Sequence, residues 1–212
     1  MTILARYWVS ILFVVLAFAV AGLLYGQLPN PVSTRWGIYG EIVGTMPKPF
    51  GVFFIPFLSL LSCSLLIAAP SLAPRGFSIA PSHRVYPTFV AAITGFLLYM
   101  TVIALLASTS GILDRSRVFA GAGVLLAVIG NYLGKVTRSF MGICTPWTLA
   151  NDIVWERTHR FGGRVFVAGG ALIFWLAITS PAQSAATLSI LAMTILAPII
   201  YSYVVWLRLE RA

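Results

Sequence analysis

Six long apolar runs constrain what this chain can fold into: about Tyr7–Gly26, Phe50–Ala69, Tyr86–Ala107, Val118–Leu133, Val165–Ser180 and Thr187–Leu207. About 20 apolar residues coiled as an α-helix match the hydrocarbon thickness of a bilayer. In lipid every backbone N–H and C=O must be satisfied inside the protein, so a span is a helix or a strand of a closed barrel. Barrel strands alternate apolar and polar residues, and none of these runs does. Only 9% of the 212 residues are charged, against about a quarter in a soluble domain. The expected fold class is all-α: a polytopic helical membrane protein with six transmembrane helices, forming a single integral membrane domain over 1–212. The first run is taken as a span rather than a cleaved signal peptide, because it is long, only Arg6 precedes it and five more runs follow.

The formal net charge of +9 would suit a nucleic-acid binder, but its placement points to topology instead. With the N-terminus inside, ten basic residues fall on the inner side: Arg6, Arg75, Arg84, Lys135, Arg138, Arg157, Arg160, Arg164, Arg208 and Arg211. Four fall outside: Arg35, Lys48, Arg115 and Arg117. The positive-inside rule therefore puts both termini in the cytoplasm, makes 27–49 an extracytoplasmic loop and makes 134–163 a cytoplasmic one. Membrane lipids are the first expected partner, since inner-face basic residues attract anionic headgroups; no direct nucleic-acid contact is expected. Cys63 and Cys144 are expected to be free thiols.

No Asp, Glu, Lys, Arg or His lies within the six apolar cores. Ion-coupled transporters place such residues at midplane depth, so a small-solute transporter is disfavoured. Pro56 and Pro198 interrupt two runs without a matching internal repeat. Small residues at Gly121–Gly123, Gly130, Gly134, Gly169 and Gly170 suit close helix packing. Tyr7, Trp8, Tyr25, Tyr132 and Trp206 sit at run ends as interfacial anchors.

The loop 27–49 holds four prolines and several glycines, hence turns and extended backbone rather than helix. Trp36 and Tyr39 within it are placed to meet an external ligand or the membrane surface. The loop after the fourth run is denser in chemistry. Asn131 and Lys135 are four residues apart, and Lys135 can reach the headgroups. Thr145-Pro146 suits an N-cap followed by proline in the first helical turn, and Asn151-Asp152 offers a second helix start. Val154, Thr158 and Phe161 recur with helical spacing beside Ile153, Trp155 and Arg157, an amphipathic stripe suited to the inner membrane face. Gly162-Gly163 then allows a bend into the fifth span. Asp152, Glu156 and His159 share a helix face. A di-iron site needs two Glu-x-x-His copies and two further glutamates, and the chain has five acidic residues in all. Cys144 and His159 make neither a zinc spacing nor an oriented nucleophile–base pair. No metal, no cofactor and no catalytic residue is expected; His159 is expected to be a structural hydrogen-bonding residue.

Gly130-Asn131-Tyr132-Leu133-Gly134-Lys135, Gly142-Ile143, Thr145-Pro146-Trp147-Thr148-Leu149, Val154-Trp155 and Thr158-His159-Arg160 together resemble the signature of the SdpI family, bacterial immunity proteins against a secreted cannibalism toxin. Leu28-Pro29, Arg35-Trp36, Gly40 and Lys48 are similar to the small extracytoplasmic domain near that family's N-terminus. The matches cover about Leu28–Lys48 and Gly130–Gly163. The resemblance implies residence in the bacterial cytoplasmic (inner) membrane and protection from a membrane-active peptide toxin. It also implies signalling, by holding a cytosolic transcriptional repressor at the membrane. On this reading Arg35, Trp36 and Tyr39 face the toxin. Trp147 anchors the partner; Lys135, His159 and Arg160 add polar contacts; Asn131 and Thr148 fix the loop; Pro146, Trp155 and Thr158 complete the partner-binding set. Three positions depart from the family pattern: Arg35 for His, Ser139 for Asn and Cys144 for Arg. The residues taken alone leave a second reading open. It is a membrane enzyme or lipid-headgroup-handling protein in which Lys135, His159 and Arg160 gather a phosphate.

Overall fold

A computed structural model describes residues 3–37, 39–72, 85–136, 138, 141–180 and 184–210. Arg75, Arg84, Ser139 and Arg211, which enter the sequence reading, lie outside the described residues. The chain order is α1 (Ile3–Leu24), a short 3-10 turn (Tyr25–Gln27), β1 (Val32–Trp36), β2 (Ile42–Met46), α2 (Lys48–Leu72), α3 (Tyr86–Ser110), α4 (Arg115–Leu133), α5 (Pro146–Ala150), α6 (Asp152–Thr179) and α7 (Ser184–Glu210). Among the described residues six helices, all but α5, are long and apolar enough to cross a membrane. The six expected spans are therefore present, and the protein is a multi-pass helical membrane protein. Large apolar side chains such as Leu23, Phe50, Trp175 and Ile200 point outward along them, as lipid-facing residues do.

The chain divides into two compact units, one of Met1–Ala68 with Val90–Gly121, the other of Ala69–Phe89 with Ala122–Ala212. In the first, the expected extended loop is an antiparallel hairpin: β1 pairs with β2 from Val32↔Met46 to Trp36↔Ile42. Its root packs inward, where Leu28 and Val32 join Ala21, Val52 and Leu105 in one buried cluster. Lys48 Nζ donates to the Leu28 carbonyl at 2.7 Å and lies 4.9 Å from the Tyr25 ring centroid. Ser108 Oγ on α3 donates to the Ser33 carbonyl at 3.1 Å. At the tip Gly40 takes φ +86°, and its carbonyl accepts from the Leu113 N–H at 3.0 Å. That left-handed conformation is open to glycine and strained for other residues.

The second unit is built on close backbone contact between α4 and α6. Gly123 lies against the Gly170 carbonyl and Gly130 against the Gly163 carbonyl, so the two helices run antiparallel with a constant seven-residue step. A Cβ on Gly170 would stand 2.5 Å from the Gly123 carbonyl oxygen and 2.7 Å from the Ala127 nitrogen; one on Gly130 would stand 2.8 Å from the Gly163 carbonyl oxygen. Glycine at these steps lets the helix backbones touch, which is how helices associate where lipid removes the hydrophobic incentive. On its other side α6 meets α7: Gly169 against Thr194, Gly162 against Pro198 and Phe161 stacked on Tyr201 at 4.3 Å.

Two expectations about this region are corrected. Gly162-Gly163 does not bend the chain; both are buried packing points, and α6 runs unbroken through them from Asp152 to Thr179. The stripe Val154 and Thr158 does not lie on a membrane face either, since both are fully buried within the protein.

Gly130→Ala and Gly170→Ala are each expected to cost about 1–3 kcal/mol, the usual penalty of overpacking. Gly22→Ala, which has nothing within 4 Å of its new methyl, is expected to be neutral or slightly stabilising. Thermal unfolding of the detergent-solubilised chain reads the contrast, and equal losses at Gly22 and Gly130 would contradict the seam.

Candidate functional site

The α4–α6 connection folds as a compact cap because its polar side chains satisfy its own backbone. Thr145 caps α5 with Pro146 at the helix start. Its Oγ1 accepts from the Thr148 N–H at 3.3 Å, while its own N–H donates to Thr148 Oγ1 at 2.8 Å. This reciprocal pair satisfies two donors that a helix start would leave open. The second expected start is also present: Asn151 Oδ1 accepts from the N–H groups of Ile153 (2.8 Å) and Val154 (3.2 Å). Asp152 at the head of α6 pairs with Arg138 Nε at 2.9 Å, and Arg138 Nη1 donates to the Leu149 carbonyl at 3.0 Å.

Ile143 is the centre of the cap. Its N–H donates to His159 Nε2 at 3.0 Å, and its carbonyl accepts from Thr148 Oγ1 at 2.9 Å. Because Nε2 accepts, the imidazole carries its proton on Nδ1 and donates it to the Trp155 carbonyl at 2.9 Å. Trp155 stacks on His159 with centroids 3.8 Å apart, and its indole N–H donates to the Val136 carbonyl at 2.9 Å. Gly142, at φ +126°, brings the chain so close to His159 that a Cβ there would collide with Nε2. Below, the Ile143 side chain seats against Gly162. Trp147 reaches α7, donating from Nε1 to Ser202 Oγ at 2.6 Å, meeting the Tyr203 ring at a tilt (centroids 5.3 Å apart) and stacking on Trp206 (6.0 Å).

The nine residues expected to meet a partner thus have two kinds of position. Thr148, Trp155, Thr158 and His159 are buried inside the cap, where they set its shape and are not a contact surface. Asn131, Lys135, Pro146 and Arg160 are exposed, and Trp147 is half-buried. Asp152, Glu156 and His159 do not gather: His159 turns inward, while the carboxylates turn out to Arg138 and, at 2.6 Å, Arg160. A short sequence scan sees helical spacing, and burial separates the three. Sequence reasoning also gave no role to Ile143, Val136, Leu149 and Ser202. The first three act through backbone groups, which no side-chain pattern reveals; Ser202 could have been noticed among Tyr201, Tyr203 and Trp206.

The three residues expected to face a toxin lie on the hairpin. Arg35 is exposed and lies across Gly44; Tyr39 is 73% exposed, with the Arg115 guanidinium 5.7 Å from its ring centroid. Trp36 is half-buried beside Thr101 and Leu105. Cys63 is buried and Cys144 exposed, both as free thiols.

The sequence pattern of the SdpI/YfhL protein family matches residues 135–203, from the cap through α6 to the aromatic cluster on α7. A domain of unknown function (DUF1648) matches residues 12–60, the stretch that carries the hairpin. Over residues 135–203 the chain is similar to the SdpI/YfhL family. It is similar to the immunity protein SdpI of Bacillus subtilis (strain 168), with 26% identity over 171 residues that cover 78% of each chain. No solved structure matches it. The matched region lies in the parts of the second unit that follow α4, and Thr145, Thr148, Trp155 and His159, which fold the cap, fall within it.

His159→Phe keeps the stacking on Trp155 and removes the acceptor for the Ile143 N–H. A buried donor left unpaired costs about 1–3 kcal/mol. Hydrogen exchange at the Ile143 amide is therefore expected to quicken by about tenfold or more, while exchange in α1 stays unchanged. Unaltered protection at Ile143 would show that His159 does not hold it.

Proposed function

We propose that this protein is an immunity protein of the SdpI type, protecting the bacterium whose cytoplasmic membrane it occupies from a secreted, membrane-active peptide toxin. The observation that carries the reading is the coincidence of family region and folded cap. Among the residues that resemble the family signature, Thr148, Trp155 and His159 each serve a backbone group of the cap, which supports a role for it as a shaped surface. Such a surface suits binding and transmission rather than turnover, and the proposal involves no catalytic step.

Within this proposal the hairpin lies outside the membrane and Arg35, Trp36 and Tyr39 meet the toxin. The cap faces the cytoplasm, and a cytosolic repressor docks on its exposed residues, Asn131, Lys135, Pro146, Arg160 and the open edge of Trp147. The buried His159, Thr148, Trp155 and Thr158 act indirectly by holding that surface in one conformation. Toxin binding alters repressor docking only to the extent that it favours one conformation of the protein over another.

Toxin-sensitive bacteria expressing the chain should survive a cannibalism-type toxin peptide and keep their membrane potential. Arg35→Ala with Tyr39→Ala, at matched membrane abundance, is expected to reduce protection. Lys135→Ala with Arg160→Ala is expected to leave protection in place and weaken recruitment of a repressor. Full sensitivity of cells carrying the wild-type chain would reject immunity to that toxin.

A further inference from the structure

Along the flanks of α4 and α6 the second unit carries an open groove of about 510 Å³ that the immunity proposal touches only at Asn131. Its walls are largely apolar: Val124 and Val128 from α4, Ala171 and Phe174 from α6, with the Gly123–Gly170 contact between them. At one end, beside the cap, the lining turns polar with Asn131 and Tyr132. From Val124 to Tyr132 the groove runs ~12 Å at 1.5 Å per residue. That approaches the roughly 15 Å depth of one leaflet's hydrocarbon layer.

Cations collect at the polar end. Lys135 Nζ sits 5.0 Å from the ring centroid of Tyr132, itself a lining residue. The stem of Arg160 passes beside Gly134, next to Lys135. Arg164 precedes Ala171 by seven residues on α6, two turns toward the cap on the same helical face. All three are exposed. Arg160 shares its charge with Glu156 at 2.6 Å, whereas Lys135 and Arg164 have no carboxylate partner among the described residues. An apolar slot one leaflet deep, capped at one end by unneutralised cations, has the polarity profile of a phospholipid with an anionic headgroup. A neutral lipid would leave those charges unanswered, and a hydrophobic helix of another chain would offer them nothing.

We propose that this groove seats an acyl chain of an anionic membrane phospholipid, with its phosphate held by Lys135, Arg164 and Arg160 beside Asn131. The bound lipid would fill the seam's open flank and brace the cap from the membrane side. The inference does not depend on the immunity reading.

The full chain, purified in mild detergent, would be offered an equimolar mixture of phosphatidylglycerol and phosphatidylcholine and examined by native mass spectrometry. One phosphatidylglycerol should be retained in preference. Lys135→Gln and Arg164→Gln should each lower its retention about fivefold, the fold-change for roughly 1 kcal/mol per basic residue, and leave phosphatidylcholine retention unchanged. Val124→Trp, at an exposed lining position, should displace the lipid without changing the melting temperature of the lipid-free chain. With the wild-type chain, a phosphatidylglycerol photolabelled in its tail should crosslink to the α4 and α6 peptides. Equal retention of the two lipids, retention indifferent to both cations, or crosslinks confined to other helices would overturn the proposal. So would a lipid-free dimer whose interface is broken by Val124→Trp, which would assign the groove to a second copy.

Discussion

The backbone contact between α4 and α6 is the constraint on which the second unit depends. Lipid tails are as apolar as the side chains that face them, so burying leucine gives helices little reason to associate. Glycine at Gly123, Gly130, Gly163 and Gly170 removes the side chains that would hold the helices apart and allows many short-range contacts between main chains. The same register carries on to Gly134 beside the backbone of His159 and Arg160. The first turns of α6 are thereby fixed over the end of α4, and the cap that joins them has a defined span to cover.

Within that span the cap is specified by backbone satisfaction. Near a membrane a loop has little water to solvate its peptide groups, and an unpaired buried group is costly. Ile143 illustrates the solution, with His159 serving its N–H and Thr148 its carbonyl. Trp155 serves Val136 and Arg138 serves Leu149. These are polar and aromatic residues of the kind that usually suggest catalysis, yet here their hydrogen-bonding capacity is consumed internally. What they leave outward is a small surface of Asn131, Lys135, Pro146 and Arg160 with the Trp147 edge. The proposed roles in docking and in lipid binding both draw on that surface. The hairpin follows the same logic in the first unit, where Lys48 and Ser108 satisfy the carbonyls of Leu28 and Ser33. Its tip is left to Arg35 and Tyr39.

The class of fold and the local helix starts follow from the order of residues alone. Long apolar runs admit few structures in lipid, so the six spans were legible from length alone. Thr145-Pro146 and Asn151-Asp152 announced two helix starts because capping depends on residues adjacent in sequence. The glycine spacings likewise announced close packing. Which face each residue took depended on how the helices pack. Helical periodicity put Asp152, Glu156 and His159 together and Val154 and Thr158 on a membrane face. The contacts of α6 with α4 and α7 instead drew His159, Val154 and Thr158 inward and left the carboxylates to arginines. Periodicity defines a stripe but not what covers it, and the covering helices are separated from α6 in sequence by a loop on each side. For the same reason Gly162-Gly163 read as a bend and proved to be a packing point: a glycine in a helix is weak only where nothing takes the space its side chain gives up.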